Sequence, residues 1–160
     1  MKKILLYLSL LIAFATCIRP PNYPIEPQIS FLGMTKTVMR QGFGSEDSVY
    51  ITLSFTDGDG DIGGTSGSKD SLNVFITDKR NNKPVEQTYR IPFVPEAGAK
   101  NGISGEIKFL MYTTCCLSLE PCRLTPSRPT DTLVYEIYIK DRAGHKSNSV
   151  STNPILLQCK

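Results

Sequence analysis

Apolar and polar residues alternate with a period of two along most of the chain after about residue 28. In the run at 71–78, for example, Leu72, Val74 and Ile76 share one face, as expected of a strand with one buried side. The pattern predicts seven strands, at residues 29–34, 49–56, 71–78, 87–93, 103–113, 132–140 and 149–158. Because turn-rich connectors separate them and no helical period follows residue 16, we expect residues 28–160 to form one all-β, antiparallel β-sandwich.

Residues 131–137, DTLVYEI, are similar to the D-x-A-x-Y-x-C corner of immunoglobulin domains. In that corner, a tyrosine at the start of the sixth strand hydrogen-bonds back across the preceding connection. Here Leu133 replaces the alanine, Ile137 replaces the cysteine, and the chain contains no tryptophan. The resemblance implies a seven-stranded immunoglobulin-like sandwich of the fibronectin or cadherin kind, with Tyr135 as the corner tyrosine; an ordinary core tyrosine is the alternative.

The start of the chain predicts export. A short basic stretch, Met1-Lys2-Lys3, precedes an almost wholly apolar run at residues 4–15, which is typical of a secretory signal and too short for a bilayer that needs about 20 apolar residues. Cys17, directly after Ala15 and Thr16, resembles the lipobox cysteine of Bacteroidetes-type bacterial lipoproteins, although Phe14 stands where leucine is usual. The resemblance implies a lipoprotein signal peptide at 1–16 and lipidation of Cys17; cleavage without a lipid is the alternative.

Residues 18–27 contain four prolines and, with Cys17, predict an extended tether at 17–27. The expected strand order places this tether beside the connection between the second and third strands. Surface-exported lipoproteins of the resembling family often carry acidic residues after the acylated cysteine, whereas this chain continues Ile18-Arg19-Pro20. We therefore expect an outer-membrane lipid anchor facing the periplasm rather than the cell surface.

The remaining cysteines predict two disulfides. Lipidation of Cys17 leaves an even set, Cys115, Cys116, Cys122 and Cys159. A bond between the adjacent pair would be strained, so one of the two should reach Cys159 and the other Cys122, with the choice left open. A zinc site or a redox pair is disfavoured, because no C-x-x-C spacing occurs.

An acidic loop, DGDGDIGG at 57–64, contains the candidate metal ligands. Three carboxylates in five residues repel one another unless a cation shares their charge, and calcium prefers six to eight oxygen ligands. Asp57, Asp59 and Asp61 resemble the opening of an EF-hand loop, but Ile62 and Ser68 replace its glycine and glutamate. Similar loops cap cadherin-like sandwiches, and the connection after the sixth strand offers Asp141 and, less securely, Asn148. A plain Asp-Gly turn, with Asp141 capping its own hairpin, is the alternative.

Little in the chain indicates catalysis or nucleic-acid binding. Of 18 basic residues two lie in the predicted signal, which leaves 16 against 15 acidic ones, and His145 is the only histidine. No nucleophile, metalloprotease or phosphate-loop motif occurs. We expect a non-catalytic lipoprotein of the cell envelope, stabilised by calcium and disulfides, that binds or supports another component. The alternatives are an accessory subunit docking an outer-membrane transport or secretion partner and, less favoured, a glycan-binding module.

Overall fold

The computed structural model describes residues 22–64, 72–85, 87, 89–94, 102–116, 122 and 129–159. These residues form ten strands and no helix. The strands are β1 (Gln28–Met34), β2 (Val38–Arg40), β3 (Gly44–Asp57), β4 (Val74–Asp78), β5 (Lys83–Pro84), β6 (Ile103–Thr113), β7 (Thr130–Leu133), β8 (Tyr135–Ile139), β9 (Val150–Ser151) and β10 (Ile155–Gln158). In the part of the chain that the structure describes, nothing is helical and apolar over the length that a membrane crossing needs. The predicted signal peptide, Cys17 and the first part of the tether lie outside these residues.

The first sheet is antiparallel and has the order β1-β3-β6. Strand β3 pairs with β6 from Asp57, opposite Ile103, to Ser48, opposite Tyr112. The alternation along β3 buries Val49, Ile51 and Leu53 almost completely, as its sequence predicts. This sheet therefore turns one apolar face inward and ends at the acidic loop.

The other strands form two sheets, β5-β4-β8-β9 and β2-β10-β7. They are continuous along the chain, because Val134 alone separates β7 from β8, and residues 152–154 separate β9 from β10. At this junction the N–H of Tyr135 donates to the Oγ1 of Thr152 at 3.1 Å, and the N–H of Thr152 donates to the carbonyl of Tyr135 at 2.9 Å. The backbone groups of Tyr135 and the N–H of Thr152 are thus hydrogen-bonded where the chain changes from one sheet to the other.

One hydrophobic core joins all three sheets. It includes Ile51 and Leu53 of β3, Ile137 of β8 and Leu157 of β10, each with 0% of its surface exposed. The all-β fold with packed antiparallel sheets is therefore confirmed, and it agrees with a sandwich.

Several details of the predicted strands are wrong. The strand expected at 87–93 is reduced, among its described residues, to an isolated bridge from Tyr89 to Val74. The strands expected at 132–140 and 149–158 are each interrupted, the second at Pro154, which has no N–H to donate. Strand β2 was not predicted, and it pairs in parallel with β10, so the sheets are not wholly antiparallel. Leu72 lies outside β4 and is 45% exposed instead of buried.

Candidate metal centre

The structure brings together the four aspartates that the sequence proposes as metal ligands. One oxygen from each carboxylate lies within 4.8 Å of the others. We call this group the aspartate cluster; its members are Asp57, Asp59, Asp61 and Asp141. Asp57 ends β3, and Asp141 follows β8 by two residues, so two different sheets position the cluster.

Ile62 fixes the shape of the acidic loop. Its side chain is fully buried in the core, and its N–H donates to Oδ2 of Asp57 at 3.1 Å. Gly60 adopts a φ of 72°, a left-handed conformation that favours glycine. An apolar anchor, a side-chain cap and a glycine therefore fold the loop so that its three carboxylates converge.

The hairpin after β8 is tied to this loop. Asp141 accepts the N–H of His145 on Oδ1 at 2.7 Å, and its Oδ2 lies 2.8 Å from Nδ1 of that histidine. Asp61 accepts the N–H of Ala143 on Oδ2 at 2.9 Å, and its carbonyl accepts the N–H of Arg142 at 3.2 Å. Asp141 thus caps its own hairpin, as the alternative proposed, and also belongs to the cluster.

Three oxygens of the cluster are buried without a hydrogen-bond partner: Oδ1 of Asp57, of Asp59 and of Asp61. Asp57 is completely buried and Asp141 is 6% exposed. A buried carboxylate oxygen without a partner is costly, and four carboxylates with oxygens within 4.8 Å of one another repel. The protein's own hydrogen bonds therefore leave this group of negative charges incompletely compensated.

Burial and mutual repulsion shift the acidity of the cluster. Burial, followed by the charges of Asp59, Asp61 and Asp141, raises the pKa of Asp57 from 3.8 to about 6. Burial and two neighbouring carboxylates also raise the pKa of Asp61. The hydrogen bond to Asp141 raises the pKa of His145, because it favours the charged imidazolium.

A metal ion fits this site. Carboxylate oxygens are the ligands that hard cations prefer, and a bound cation would satisfy the three oxygens that lack partners while removing the repulsion among the four charges. Asn148, which the sequence offers less securely as a further ligand, has another role. Its amide accepts the N–H of Ile29 at 2.8 Å and donates to the carbonyl of the same residue at 2.9 Å, so both of its polar atoms are used to hold β1.

The predicted tether contacts the cluster's loop. A Cβ atom on Gly58 would lie 2.4 Å from the carbonyl oxygen of Tyr23 and 2.5 Å from that of Pro24, so only glycine permits this approach. The Tyr23 ring also lies against Gly102, just before β6. The N-terminal segment therefore runs beside the acidic loop, where the strand order predicts it.

The disulfides lie at the opposite end of the sheets. Cys116 pairs with Cys159, 43 residues away, and Cys115 pairs with Cys122, 7 residues away. Both predicted bonds are confirmed, and the structure resolves the choice between the adjacent cysteines. The Sγ atoms therefore lock the end of β6 to the end of β10.

A buried ion-pair group beside these disulfides was missed. The Arg80 guanidinium lies 2.6 Å from Oδ2 of Asp78 and 2.8 Å from Oδ2 of Asp131, and it donates to the carbonyl of Cys115 at 3.2 Å. The sequence does contain a signal for this ion-pair group, because Asp78 falls on the same buried face of β4 as Val74 and Ile76. An acid on a buried face needs a cationic partner.

The structure describes two further candidate residues, Tyr135 and His145. Tyr135 is 1% exposed and its pKa is raised, chiefly by burial, which places the ring in the core. The connection between β6 and β7, where the corner hydrogen bond is expected, lies largely outside the described residues, so the corner stays a prediction. The imidazole of His145 contacts the carboxylate of Asp141. Among the described residues, no hydrogen bond joins it to a candidate nucleophile. No known protein family, curated protein or solved structure matches this chain.

Proposed function

We propose that this protein is a non-catalytic lipoprotein of the cell envelope, whose immunoglobulin-like domain is stabilised by one calcium ion and two disulfides and acts as a binding or structural module. The observation that carries the proposal is the aspartate cluster, in which three buried oxygens lack any partner. A structural carboxylate cap needs one acceptor oxygen, as Asp57 provides to Ile62, and does not need three further buried oxygens without partners. The excess of acceptor oxygens supports a cation.

Calcium suits the cluster better than magnesium. It accepts six to eight oxygens in flexible geometry, whereas magnesium requires a nearly ideal octahedron and keeps several of its waters. Four carboxylates on two loops, three from one short segment, give a crowded and irregular ligand set. Water and backbone carbonyl oxygens would complete the coordination of the larger ion.

The order of the sheets supports the immunoglobulin-like topology. Three long strands, β1, β3 and β6, face a second layer in which β8 lies between β4 and β9, and the core lies between them. Tyr135 is buried at the start of β8, as a corner tyrosine would be. The two disulfides support an oxidising location, which agrees with export and with an anchor at Cys17 on the periplasmic face of the outer membrane.

A second candidate function is docking to an outer-membrane transport or secretion partner. The observation in its favour is a set of exposed apolar side chains on β1, β3 and β6: Leu32 is 52% exposed, Tyr50 44% and Tyr112 39%. Exposed apolar groups that share a sheet are typical of interaction surfaces. Binding to a glycan is the less favoured use of the same aromatic rings.

A thermal titration tests the metal part of the proposal. Calcium is added to the chelator-treated mature chain, and the unfolding midpoint is followed. At a free concentration about 100 times the dissociation constant, one site should add about 2.7 kcal/mol to the free energy of unfolding. The absence of both a shift and a binding isotherm would refute the calcium site. Mass spectrometry for an acyl chain on Cys17 tests the anchor, and protease shaving of intact cells tests its membrane face.

A further inference from the structure

The face of the β4–β8 sheet that lies next to the aspartate cluster is basic and aromatic. Phe75 and Tyr138 stack with ring centroids 4.8 Å apart. The Lys140 ammonium lies 5.5 Å from the centroid of Phe75, and the Lys146 ammonium lies 4.0 Å from that of Tyr138. We call these four residues the basic face. The two cation–π contacts hold the ammonium groups on one side of the sheet.

The two lysines form an uncompensated pair of charges. Lys140 and Lys146 face each other directly in an isolated antiparallel bridge, an arrangement in which like charges destabilise a sheet. Within the described residues, neither has a carboxylate within ion-pair distance. Lys79, at the far end of the same sheet, differs because it pairs with Glu136 at 3.4 Å. The basic face therefore carries two positive charges available to an external anion.

The N-terminal segment places this face near the proposed membrane anchor. The described chain begins at Asn22, immediately before the Tyr23 that contacts Gly58. Five peptide units separate Asn22 from Cys17, and a chain of that length spans at most about 18 Å. An acyl chain on Cys17 would therefore hold this end of the domain within a few Debye lengths, each about 8 Å, of the lipid headgroups.

A second cation–aromatic pair lies at the same end. The Arg142 guanidinium lies 5.3 Å from the ring of Phe93, which is 45% exposed, and it donates to the carbonyls of Ile62 and Val94. Half-exposed aromatic rings beside basic groups suit the interface between headgroups and water. The aromatic groups and the charges thus occupy one end of the molecule, the end from which the N-terminal segment leaves.

We infer that the basic face docks the domain on anionic lipid headgroups of the membrane that holds its anchor, and that metal binding at the aspartate cluster strengthens this docking. The inference rests on the proposed lipid anchor and calcium site. Without a cation, four carboxylates beside Lys140 and Lys146 repel an anionic surface; a calcium ion removes two negative charges from the same end. The lysines supply the attraction, and the ion reduces the opposing charge.

Vesicle sedimentation tests this inference with the mature chain, residues 17–160, carrying Cys17→Ser so that no acyl chain contributes. Vesicles contain either neutral phosphatidylcholine alone or the same lipid with about one third phosphatidylglycerol, in calcium or in chelator. We expect binding to the anionic vesicles only, stronger in calcium and weakened by salt. The double variant Lys140→Gln/Lys146→Gln should bind about 30-fold more weakly, since each charge near the surface contributes about fivefold.

The matched control is Lys79→Gln/Lys83→Gln, which removes the same charge from the opposite end of the sheet and should bind as the parent does. Equal loss in both double variants, or equal binding to neutral vesicles, would overturn the inference. Retention on an anionic polysaccharide without vesicle binding would overturn it in favour of a glycan. Calcium titration of the same samples distinguishes failure of the docking inference from failure of the proposed calcium site. Calcium binding without vesicle binding refutes only the docking inference, whereas absent calcium binding refutes the proposed site as well.

Discussion

Replacing Asp57 with asparagine should have opposite effects on stability with and without calcium. In the metal-free protein, the pKa of Asp57 is raised from 3.8 to about 6 by burial and by three neighbouring carboxylates. At pH 7 its charge therefore costs the folded state about 3 kcal/mol, at about 1.36 kcal/mol for each pKa unit. Asparagine has the same shape, carries no charge and keeps an oxygen for the N–H of Ile62. We expect Asp57→Asn to be more stable than the parent in chelator, by up to about 3 kcal/mol.

The sign of the pH dependence follows from the direction of this shift. Because the pKa of Asp57 is higher in the folded, metal-free chain, protonated Asp57 favours folding. This contribution to stability is fully present below about pH 4 and is lost as the pH rises through about 6. The advantage of Asp57→Asn in chelator should therefore be large at pH 7 and small near pH 4. In calcium at pH 7 the order should reverse, because the parent gains a ligand-bound state that the variant has weakened.

Urea unfolding with the disulfides intact, in chelator and in calcium, measures both effects. Asp47→Asn is the matched control: Asp47 accepts the N–H groups of Arg40 and Ser48 and pairs with Lys36, so its replacement should destabilise the protein equally in both media. If Asp57→Asn is less stable than the parent by the same amount in chelator and in calcium, Asp57 is only a structural cap. The reasoning for a metal ligand would then fail.

Three other changes test separate parts of the account. Asn148→Ala should leave calcium affinity unchanged but lower stability by about 1–2 kcal/mol, because it removes both hydrogen bonds to Ile29. Calorimetry measures the affinity and urea unfolding the stability; a large loss of calcium affinity would show that Asn148 is a ligand. Arg80→Met should lower stability by about 3–5 kcal/mol, because it leaves the carboxylates of Asp78 and Asp131 without their cation; an unchanged melting temperature would contradict this. Replacing Cys116 and Cys159 with alanine should lower the free energy of unfolding by about 4 kcal/mol, and replacing Cys115 and Cys122 by about 2 kcal/mol, because the second disulfide closes only 7 residues. Urea unfolding measures both losses, and equal losses would contradict the loop-entropy argument.

Period-two alternation located the strands that lie fully within one sheet. It identified β3 and β6 because the inward residues along the middle of each strand, such as Leu53 and Ile107, are apolar. It missed β2, since three residues carry almost no periodic signal and the partner, β10, lies more than a hundred residues away. Pro154 marked the interruption before β10, but the change of sheet depends on how Tyr135 and Thr152 pair in three dimensions.

The aspartate cluster was predictable from charge density, and the inclusion of Asp141 from strand order. What could not be predicted is which carboxylate oxygens the protein itself satisfies. Ile62, the one apolar residue of the loop, becomes its anchor in the core, and this brings the N–H group to Asp57. The role of Asn148 also depends on a contact with Ile29, 119 residues away, for which the sequence carries no local signal.

The most direct test of the central claim is the number of calcium ions that the chelator-treated protein binds at equilibrium. The account predicts one ion per chain for the parent, no binding at the same concentration for Asp57→Asn/Asp61→Asn, and unchanged binding for Glu106→Gln, which removes an exposed carboxylate from β6. No binding by the parent, or the same binding by the aspartate variant, would contradict it.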